Sequence, residues 1–193
     1  MRVMRAALTI AFAGAAFASD AAAQQFSERE GLFGIFDEVR GGAVYPVQPN
    51  DDSGVTLSGQ LYFKSFVPPM QNYWANALLR PRVHVGGNLA TGDDPINQVY
   101  AGLTWHFPIY NSFFFEGSFG GTWHDGPLDS PGDGLDLGCH WLFRESIALG
   151  MDVNDNWRVL ASVDHSSHAG LCDDGRAGNS GITHAGVYVG YRF

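Results

Sequence analysis

The feature that most constrains the fold is an alternation of apolar and polar side chains with a period of two residues. In the segment VTLSGQLYFK, residues 55–64, Val55 and Leu57 fall on one face of an extended chain, whereas Thr56 and Ser58 fall on the other. The same alternation predicts eight strands, at residues 34–45, 55–64, 79–89, 99–107, 113–124, 138–151, 157–167 and 182–193. An even number of antiparallel strands of this length predicts an all-β fold, a closed eight-stranded antiparallel barrel.

The last predicted strand indicates which face meets which surroundings. In ITHAGVYVGYRF, one parity is apolar and ends on the aromatic residues Tyr191 and Phe193, as in the final strand of bacterial outer-membrane barrels. The other parity continues a polar ladder from the earlier strands, made of Arg80, Arg82, His84, His106, Glu116, His124, His184 and Arg192. This pattern predicts a transmembrane β-barrel with a polar interior that is too narrow for a channel. The alternative is a soluble, lipocalin-like barrel with its apolar face inward.

The first 23 residues predict a secretory signal peptide rather than a part of the fold. The basic segment MRVMR precedes the apolar stretch AALTIAFAGAAFA, which is too short to span a membrane, and small residues at 21–23 offer a cleavage site. Residues 24–193 are then expected to form one barrel domain. Because the net charge is −9 and no basic face is available to neutralise phosphates, the sequence excludes nucleic-acid binding.

A polar pair continues the outward parity of the seventh predicted strand. Apolar residues from Trp157 to Val163 occupy this parity, and His165 and Ser167 follow them. Such residues lie about 6–7 Å apart along one face of a strand, and a serine beside a histidine base is the usual device for attacking an ester carbonyl. The alternative is a strand that turns polar where it leaves the membrane. With both termini in the periplasm, the pair is expected at the outer rim.

Several segments resemble the lipid A 3-O-deacylase (PagL-type) family, whose wider membership includes acyloxyacyl hydrolases. DHSSHAGLCDD and NSGITHAGVYVGYRF carry its His-x-Ser motif and final strand, and GTWHDGPLD and LFRESIALG extend the likeness over residues 110–193. The resemblance implies an eight-stranded barrel in the bacterial outer membrane, inserted by the barrel-assembly machinery through its C-terminal strand. It further implies a cofactor-free serine esterase that acts on lipid A of lipopolysaccharide in the outer leaflet and removes an ester-linked acyl chain, the 3-O chain.

The resemblance assigns roles to individual residues. His165 matches the general base and Ser167 the nucleophile, and His168 stands where the family has an oxyanion-binding Asn. A histidine N–H can donate the same hydrogen bond. The family's acid is a Glu at the start of the last strand, a place that Thr183 occupies here. A threonine cannot stabilise an imidazolium as a carboxylate does, so the acid must be sought elsewhere.

Glu145 is the tentative acid. If the turn DVND centres near Asn154, Phe143 lies opposite His165, and Glu145 lies diagonal to His165 on the same face. Diagonal neighbours are ~7–8 Å apart, within reach of a long side chain. In the alternative, Glu145 forms an ion pair with Arg144 or Arg158. The other candidate acids are Asp164, Asp173 and Asp174.

The same register places Cys139 opposite residue 169, close to Cys172. An oxidising compartment permits a disulfide between them, and two free thiols are the alternative.

Metal binding is not expected, because the spacing of His165 and His168, with His184 nearby, suits a helix better than a strand. The acidic loop residues predict solvated turns, or sites for cations that bridge to lipopolysaccharide phosphates: Asp51, Asp52, Asp93, Asp94, Asp173 and Asp174.

Three functions are therefore compatible with the sequence. The first is the lipid A esterase, and the second is a structural or adhesive outer-membrane barrel that is catalytically degenerate because it has lost the family acid. The third is a soluble barrel that binds a lipid. Nothing in the sequence determines whether the barrel associates with a second copy.

Overall fold

The computed structural model describes residues 34–48, 51, 53–129, 134–172 and 178–193. The expected signal peptide, residues 1–23, lies outside the described residues, as do Asp52, Asp173 and Asp174. Eight antiparallel strands, each hydrogen-bonded to its neighbours in chain order, close through a β1–β8 pairing. They are β1 Phe36–Pro46, β2 Thr56–Phe63, β3 Arg82–Ala90, β4 Gln98–Tyr110, β5 Phe113–His124, β6 Trp141–Asp152, β7 Trp157–Ser167 and β8 Ile182–Arg192. The predicted eight-stranded barrel is confirmed.

The sequence prediction missed one element, the helix α1, Tyr73–Leu79, between β2 and β3. The side chain of Asn72 caps the helix by accepting a hydrogen bond from the Ala75 N–H at 3.0 Å. Among the described residues, α1 is the only α-helix, and a helix able to span a bilayer is absent.

The two faces of each strand have opposite character. On β7, Trp157, Val159 and Val163 are exposed on the outside, whereas Arg158 and Asp164 are buried inside. This orientation is that of a membrane barrel and excludes the soluble, lipocalin-like alternative. Arg80 is an exception to the predicted ladder, because it follows α1 outside the barrel strands and its guanidinium binds the backbone oxygen of Val67 at 2.7 Å.

Charged side chains fill the half of the barrel interior nearer the termini. The guanidinium of Arg40 binds Glu116 at 2.7 Å and Glu38 at 2.5 Å, and Arg82 binds both carboxylates at 2.7 Å. Arg158 reaches Glu38 at 3.1 Å. Burying these charges is tolerable because each has partners of opposite sign at hydrogen-bond distance. The network blocks the barrel, as the narrow diameter predicts.

The barrel has two different ends. We call the end with Phe36 and Arg192 the terminal end, and the opposite end, which carries the connections 125–140 and 168–181, the loop end. An apolar cluster fills the loop end between these connections and the strands: Ile96, Leu135, Leu137, Leu142 and Ile182.

Removal of a central carboxylate tests the buried network. We expect Glu116→Ala to lower the free energy of unfolding by about 3–5 kcal/mol, because Arg40 and Arg82 would each lose a buried counter-charge. Urea unfolding of the protein refolded into lipid vesicles measures the change. The matched control is Glu145→Ala on the exposed outer face, for which a change within about 0.5 kcal/mol is expected. Equal, small changes in both variants would contradict the network's role.

Candidate functional site

His165 lies on the outward face of β7, between a residue of β6 and a residue of β8 at the same level. Glu145 pairs with His165 on one side, and Thr183 pairs with it on the other. The predicted β6–β7 register was wrong by two residues, because Phe143 pairs with Ser167 rather than with His165. The imidazole is therefore flanked directly by a carboxylate and by a hydroxyl.

The shape of the β6–β7 turn explains this shift. Asn154 does not sit at its centre; its side-chain oxygen accepts the N–H groups of Asn156 and Trp157, both at 2.9 Å. The backbone N–H of Val153 donates to the oxygen of Trp157 at 2.9 Å. The turn is thus centred one residue further along the chain than predicted, which moves every β6–β7 pair by two.

Thr183 holds one nitrogen of the His165 ring. The distance from His165 Nδ1 to Thr183 Oγ1 is 2.8 Å. Thr183 is itself fixed, because its backbone N–H donates to Gln48 Oε1 at 2.5 Å and its backbone oxygen accepts from the Val47 N–H at 2.9 Å. When Nδ1 carries the proton and donates to this hydroxyl, Nε2 is left with a free lone pair.

Gly181 leaves room for the other side of the ring. Its φ of +68° is a conformation that favours glycine, and a Cβ there would lie 2.7 Å from Cε1 and 3.3 Å from Nε2 of His165. Because Ser166 pairs with Ile182, Ser167 lies level with Gly181. The Cε1 and Nε2 atoms of the imidazole therefore lie on the side of the ring that faces Gly181 and Ser167. No described hydrogen bond joins the two side chains, and such bonds often tighten only when substrate binds.

Glu145 is exposed on the outer surface, and the alternative in which it forms an ion pair with Arg144 or Arg158 is wrong. Arg144 points inward and binds Asp164 at 3.2 Å, and Arg158 points inward to Glu38. The same ion pair removes Asp164 from the candidate acids, because this side chain is buried inside the barrel. Glu145 is the carboxylate that shares the outward face with His165 at the same level.

The ring of His168 is not directed at the outward face. It is buried, its Nδ1 accepts the backbone N–H groups of Gly170 at 3.1 Å and Cys172 at 3.4 Å, and Nε2 donates to the Gly178 oxygen at 3.1 Å. Both nitrogens are therefore used within the connection 168–181. This placement does not fit the oxyanion role that the resemblance implies for His168, because the strand parity ends at Ser167 and the chain turns into the loop.

Asn179 is a site neighbour that the sequence analysis missed. Its side-chain oxygen accepts the backbone N–H of His168, the residue after Ser167, at 3.3 Å. The amide NH₂ of Asn179 retains its own donors, and the residue is exposed. The only sequence signal was a short polar segment, NSG, before the last strand, which by itself indicates a loop.

The connection 168–181, which carries His168 and Asn179, is bonded to the connection between β5 and β6, residues 125–140. A disulfide joins Cys139 to Cys172, with the Cα atoms 6.0 Å apart. The Asp136 carboxylate accepts the Gly178 N–H at 2.8 Å, and the Asp136 backbone oxygen accepts the Ser180 N–H at 2.9 Å. These contacts fix the backbone that leads into Gly181.

The histidines near the site do not converge on one point. The ring of His165 is outside, whereas His184 is buried inside the barrel, 3.4 Å from Asp164. Within the described ranges, no three His, Cys, Asp or Glu residues are grouped so that they could hold a metal ion. The surface beside Ser167 is apolar instead, because Phe143 is its β6 partner and stacks on Phe119 with ring centroids 6.0 Å apart.

Two solved structures are similar to this barrel. The crystal structure of the outer membrane enzyme PagL matches with a TM-score of 0.56 and 19% sequence identity, over 80% of this chain and 97% of that chain. The N-terminal β-barrel domain of Pseudomonas aeruginosa OprF matches with a TM-score of 0.53 and 12% identity, over 82% of this chain and 98% of that chain. At these identities the likeness supports the fold. A search of curated protein sequences found no match.

The family comparison covers more of the chain than the motif segments do. The model for lipid A 3-O-deacylase (PagL) matches residues 52–192, which include all strands from β2 to β8 and the His165–Ser167 segment. This chain therefore belongs to the lipid A 3-O-deacylase (PagL) family.

Proposed function

We propose that this protein is a serine esterase of the outer membrane that removes an ester-linked acyl chain, the 3-O chain, from lipid A. One observation carries the proposal: a histidine oriented by Thr183 has its second nitrogen toward the level of Ser167, on the outward, membrane-facing surface of the barrel. A polar pair at such a place is costly without a purpose. Family membership supports lipid A as the substrate.

The orientation of the barrel completes the proposal. With both termini in the periplasm, the loop end faces the cell exterior, and His165 and Ser167 lie near the ester groups of the lipopolysaccharide leaflet. The apolar side chains of Phe143 and Phe119 beside Ser167 suit an acyl chain that approaches from the membrane. The active groups need no channel through the barrel, because the substrate diffuses to them within the leaflet.

The proposed reaction proceeds in two stages. Ser167 Oγ attacks the ester carbonyl carbon while His165 Nε2 takes the hydroxyl proton, and the tetrahedral intermediate then expels the sugar oxygen, which receives that proton. In the second stage, water attacks the acyl-serine and gives a proton to the same nitrogen. Collapse of the second intermediate returns this proton to Ser167 and releases the fatty acid, so the enzyme is regenerated without a cofactor.

We propose that two residues share the work of the family's acid. Thr183 accepts the Nδ1–H and fixes the tautomer and the ring orientation, as the hydrogen bond at 2.8 Å supports. Glu145, the direct β6 partner of His165, supplies the negative charge that stabilises the imidazolium formed during the reaction. Directly opposed side chains in an antiparallel pair are ~4.5–5.5 Å apart at Cβ, closer than the diagonal position predicted from sequence.

We assign the oxyanion contact to Asn179 rather than to His168. The backbone N–H of His168, the residue after Ser167, donates to the Asn179 side-chain oxygen, and the NH₂ group of the same amide can donate to an oxyanion. The alternative function, a catalytically degenerate structural barrel, is favoured by one observation, the presence of Thr183 where the family has a Glu. The esterase would hydrolyse an ester of lipid A through Ser167, whereas the degenerate barrel would leave lipid A unchanged.

Mass spectrometry of lipid A tests the activity directly. Cells that express the wild-type protein are expected to lose the mass of one hydroxyacyl chain per lipid A, and cells that express Ser167→Ala are expected to lose none. The heat-dependent gel shift of a folded barrel serves as the control for assembly of both proteins. Unchanged lipid A with a folded wild-type barrel would contradict the esterase and favour the degenerate barrel.

Three substitutions test the proposal that Thr183 and Glu145 together perform the role of the acid. Glu145→Gln is expected to lower kcat about 10- to 100-fold without changing KM, because it removes a charge that acts on the imidazolium alone. Thr183→Val is expected to lower kcat by a similar factor, because the Nδ1 proton loses its acceptor. In the Glu145→Gln background, Thr183→Glu is expected to restore activity. An unchanged kcat for Glu145→Gln, measured on a purified lipid A ester, would contradict the assignment of Glu145.

A glycine substitution tests the position of the imidazole. Gly181→Ala is expected to lower kcat at least tenfold, because the new methyl group would displace the His165 ring. The matched control is Gly170→Ala in the same connection, where φ is also positive, +78°, but no heavy atom lies within 4 Å of the added Cβ. The control carries the same kind of backbone strain, so an equal loss of activity in both variants would show that strain alone is responsible.

A further inference from the structure

The connection between β2 and β3, residues 64–81, differs from the other connections at the terminal end. β4 and β5 are joined by residues 111–112 and β6 and β7 by residues 153–156, whereas residues 64–81 contain a capped helix. Transmembrane barrels keep the turns at this end short. The length of the connection 64–81 is therefore unusual at this end of the barrel.

The helix α1 is turned back onto the outside of the barrel. The side chain of Trp105, on the outward parity of β4, donates from Nε1 to the backbone oxygen of Leu78 at 2.9 Å. Tyr73 donates its hydroxyl to the backbone oxygen of Pro108 at 3.5 Å, and burial raises the pKa of this phenol. The helix therefore lies beside the lipid-facing surface of β4.

The exposed side of α1 is apolar, and the ring contact of Trp74 is with Tyr73 of the same helix. Trp74, Leu78 and Leu79 are 52–59% exposed, and Phe66, in the same connection, is 75% exposed. Trp74 and Leu78 are four residues apart and therefore lie on one side of the helix, and Leu79 is exposed beside them at the C-terminal end of α1. The polar residue inside the helix, Asn76, is used internally by the Met70 N–H and the Arg80 guanidinium.

The charge of the segment indicates what covers these apolar side chains. Residues 64–81 contain Lys64 and Arg80 and no acidic residue, although the whole chain has a net charge of −9. The strand beside which α1 lies, β4, carries further exposed apolar side chains, Leu103, Ile109 and Tyr110. An apolar face next to basic residues at the edge of a lipid-facing surface fits a leaflet of anionic phospholipids.

We propose that residues 64–81 form an interfacial anchor, in which Trp74, Leu78 and Leu79 insert into the phospholipid leaflet at the terminal end of the barrel. In the orientation proposed above, this leaflet faces the periplasm, on the opposite side of the membrane from His165. The anchor fixes the depth of the barrel and thereby the height of the catalytic pair relative to the outer leaflet. It does not depend on the esterase reaction, so each proposal can fail without the other.

Spin labelling of the full chain in vesicles tests the anchor. A nitroxide is attached to Leu78→Cys in vesicles of phosphatidylethanolamine and phosphatidylglycerol, and collisions with oxygen and with a water-soluble nickel chelate are measured. The lipid reference is a label at Leu149, an exposed residue in the middle of β6, and the water reference is a label at Asp94 in an exposed loop. The native cysteines are joined in a disulfide and do not react.

Each pattern of collisions has a defined meaning. The anchor predicts oxygen collisions close to those at Leu149 and nickel collisions at least threefold below those at Asp94. It further predicts that adding Trp74→Gln and Leu79→Gln raises the nickel collisions of the label at least twofold, while the heat-dependent gel shift of the barrel persists. Nickel collisions equal to those at Asp94 would overturn the proposal. Protection from both reagents would also overturn it, because this result indicates contact with a protein, such as a second copy of the chain.

Discussion

The pairing of β1 with β8 is the constraint on which the rest of the structure depends. It runs from Glu38 opposite Arg192 to Pro46 opposite His184 and turns an open sheet into a closed barrel. In a bilayer, each unpaired backbone group would cost several kcal/mol, so a closed sheet is one of the few arrangements that a chain can use. Closure also fixes which parity of every strand faces outward, since a slip by one residue would exchange the two faces.

The inner and outer faces of the barrel wall therefore have different roles. Inside, Arg40, Arg82 and Arg158 surround Glu38 and Glu116, so the interior is filled with paired charges and has little space for a ligand. A substrate that dissolves in the membrane can meet only the outer face. For this reason the position of His165 and Ser167 on the outward parity matters more for the proposed chemistry than their spacing along the chain.

The sequence was sufficient for the architecture because period-two alternation is a property of every strand, and each additional strand supports the same interpretation. It was not sufficient for α1, because seven residues with Trp74, Leu78 and Leu79 facing away from the barrel do not produce the apolar stripe of a helix that packs on a core. Nor did it predict the burial of His168, since strand parity carries no information once the chain enters a loop.

The neighbours of His165 could not be predicted from the sequence for a third reason. Its neighbours come from β6 and β8, and their identity depends on the register of two hairpins. On the β6 side, the Asn154 side chain shapes the turn and moves Glu145 from a diagonal to a direct position. Side-chain capping of a turn is a local choice that composition does not reveal. His165, Ser167 and Glu145 could therefore be named as candidates from the sequence, whereas Asn179 and the contacts among these residues required the three-dimensional structure.

The resemblance places Thr183 where a Glu is expected, and this difference has a physical consequence for the proposed mechanism. An acid beside a catalytic histidine performs two tasks, since it accepts a hydrogen bond that fixes the ring and it supplies a charge that stabilises the imidazolium. The first task needs only an acceptor at the correct distance, and the Thr183 hydroxyl meets this requirement. The second needs a charge nearby but no hydrogen bond, because electrostatic attraction acts over several ångströms where the surroundings exclude water. A barrel gives each residue two cross-strand neighbours, so the two tasks can be divided between β8 and β6.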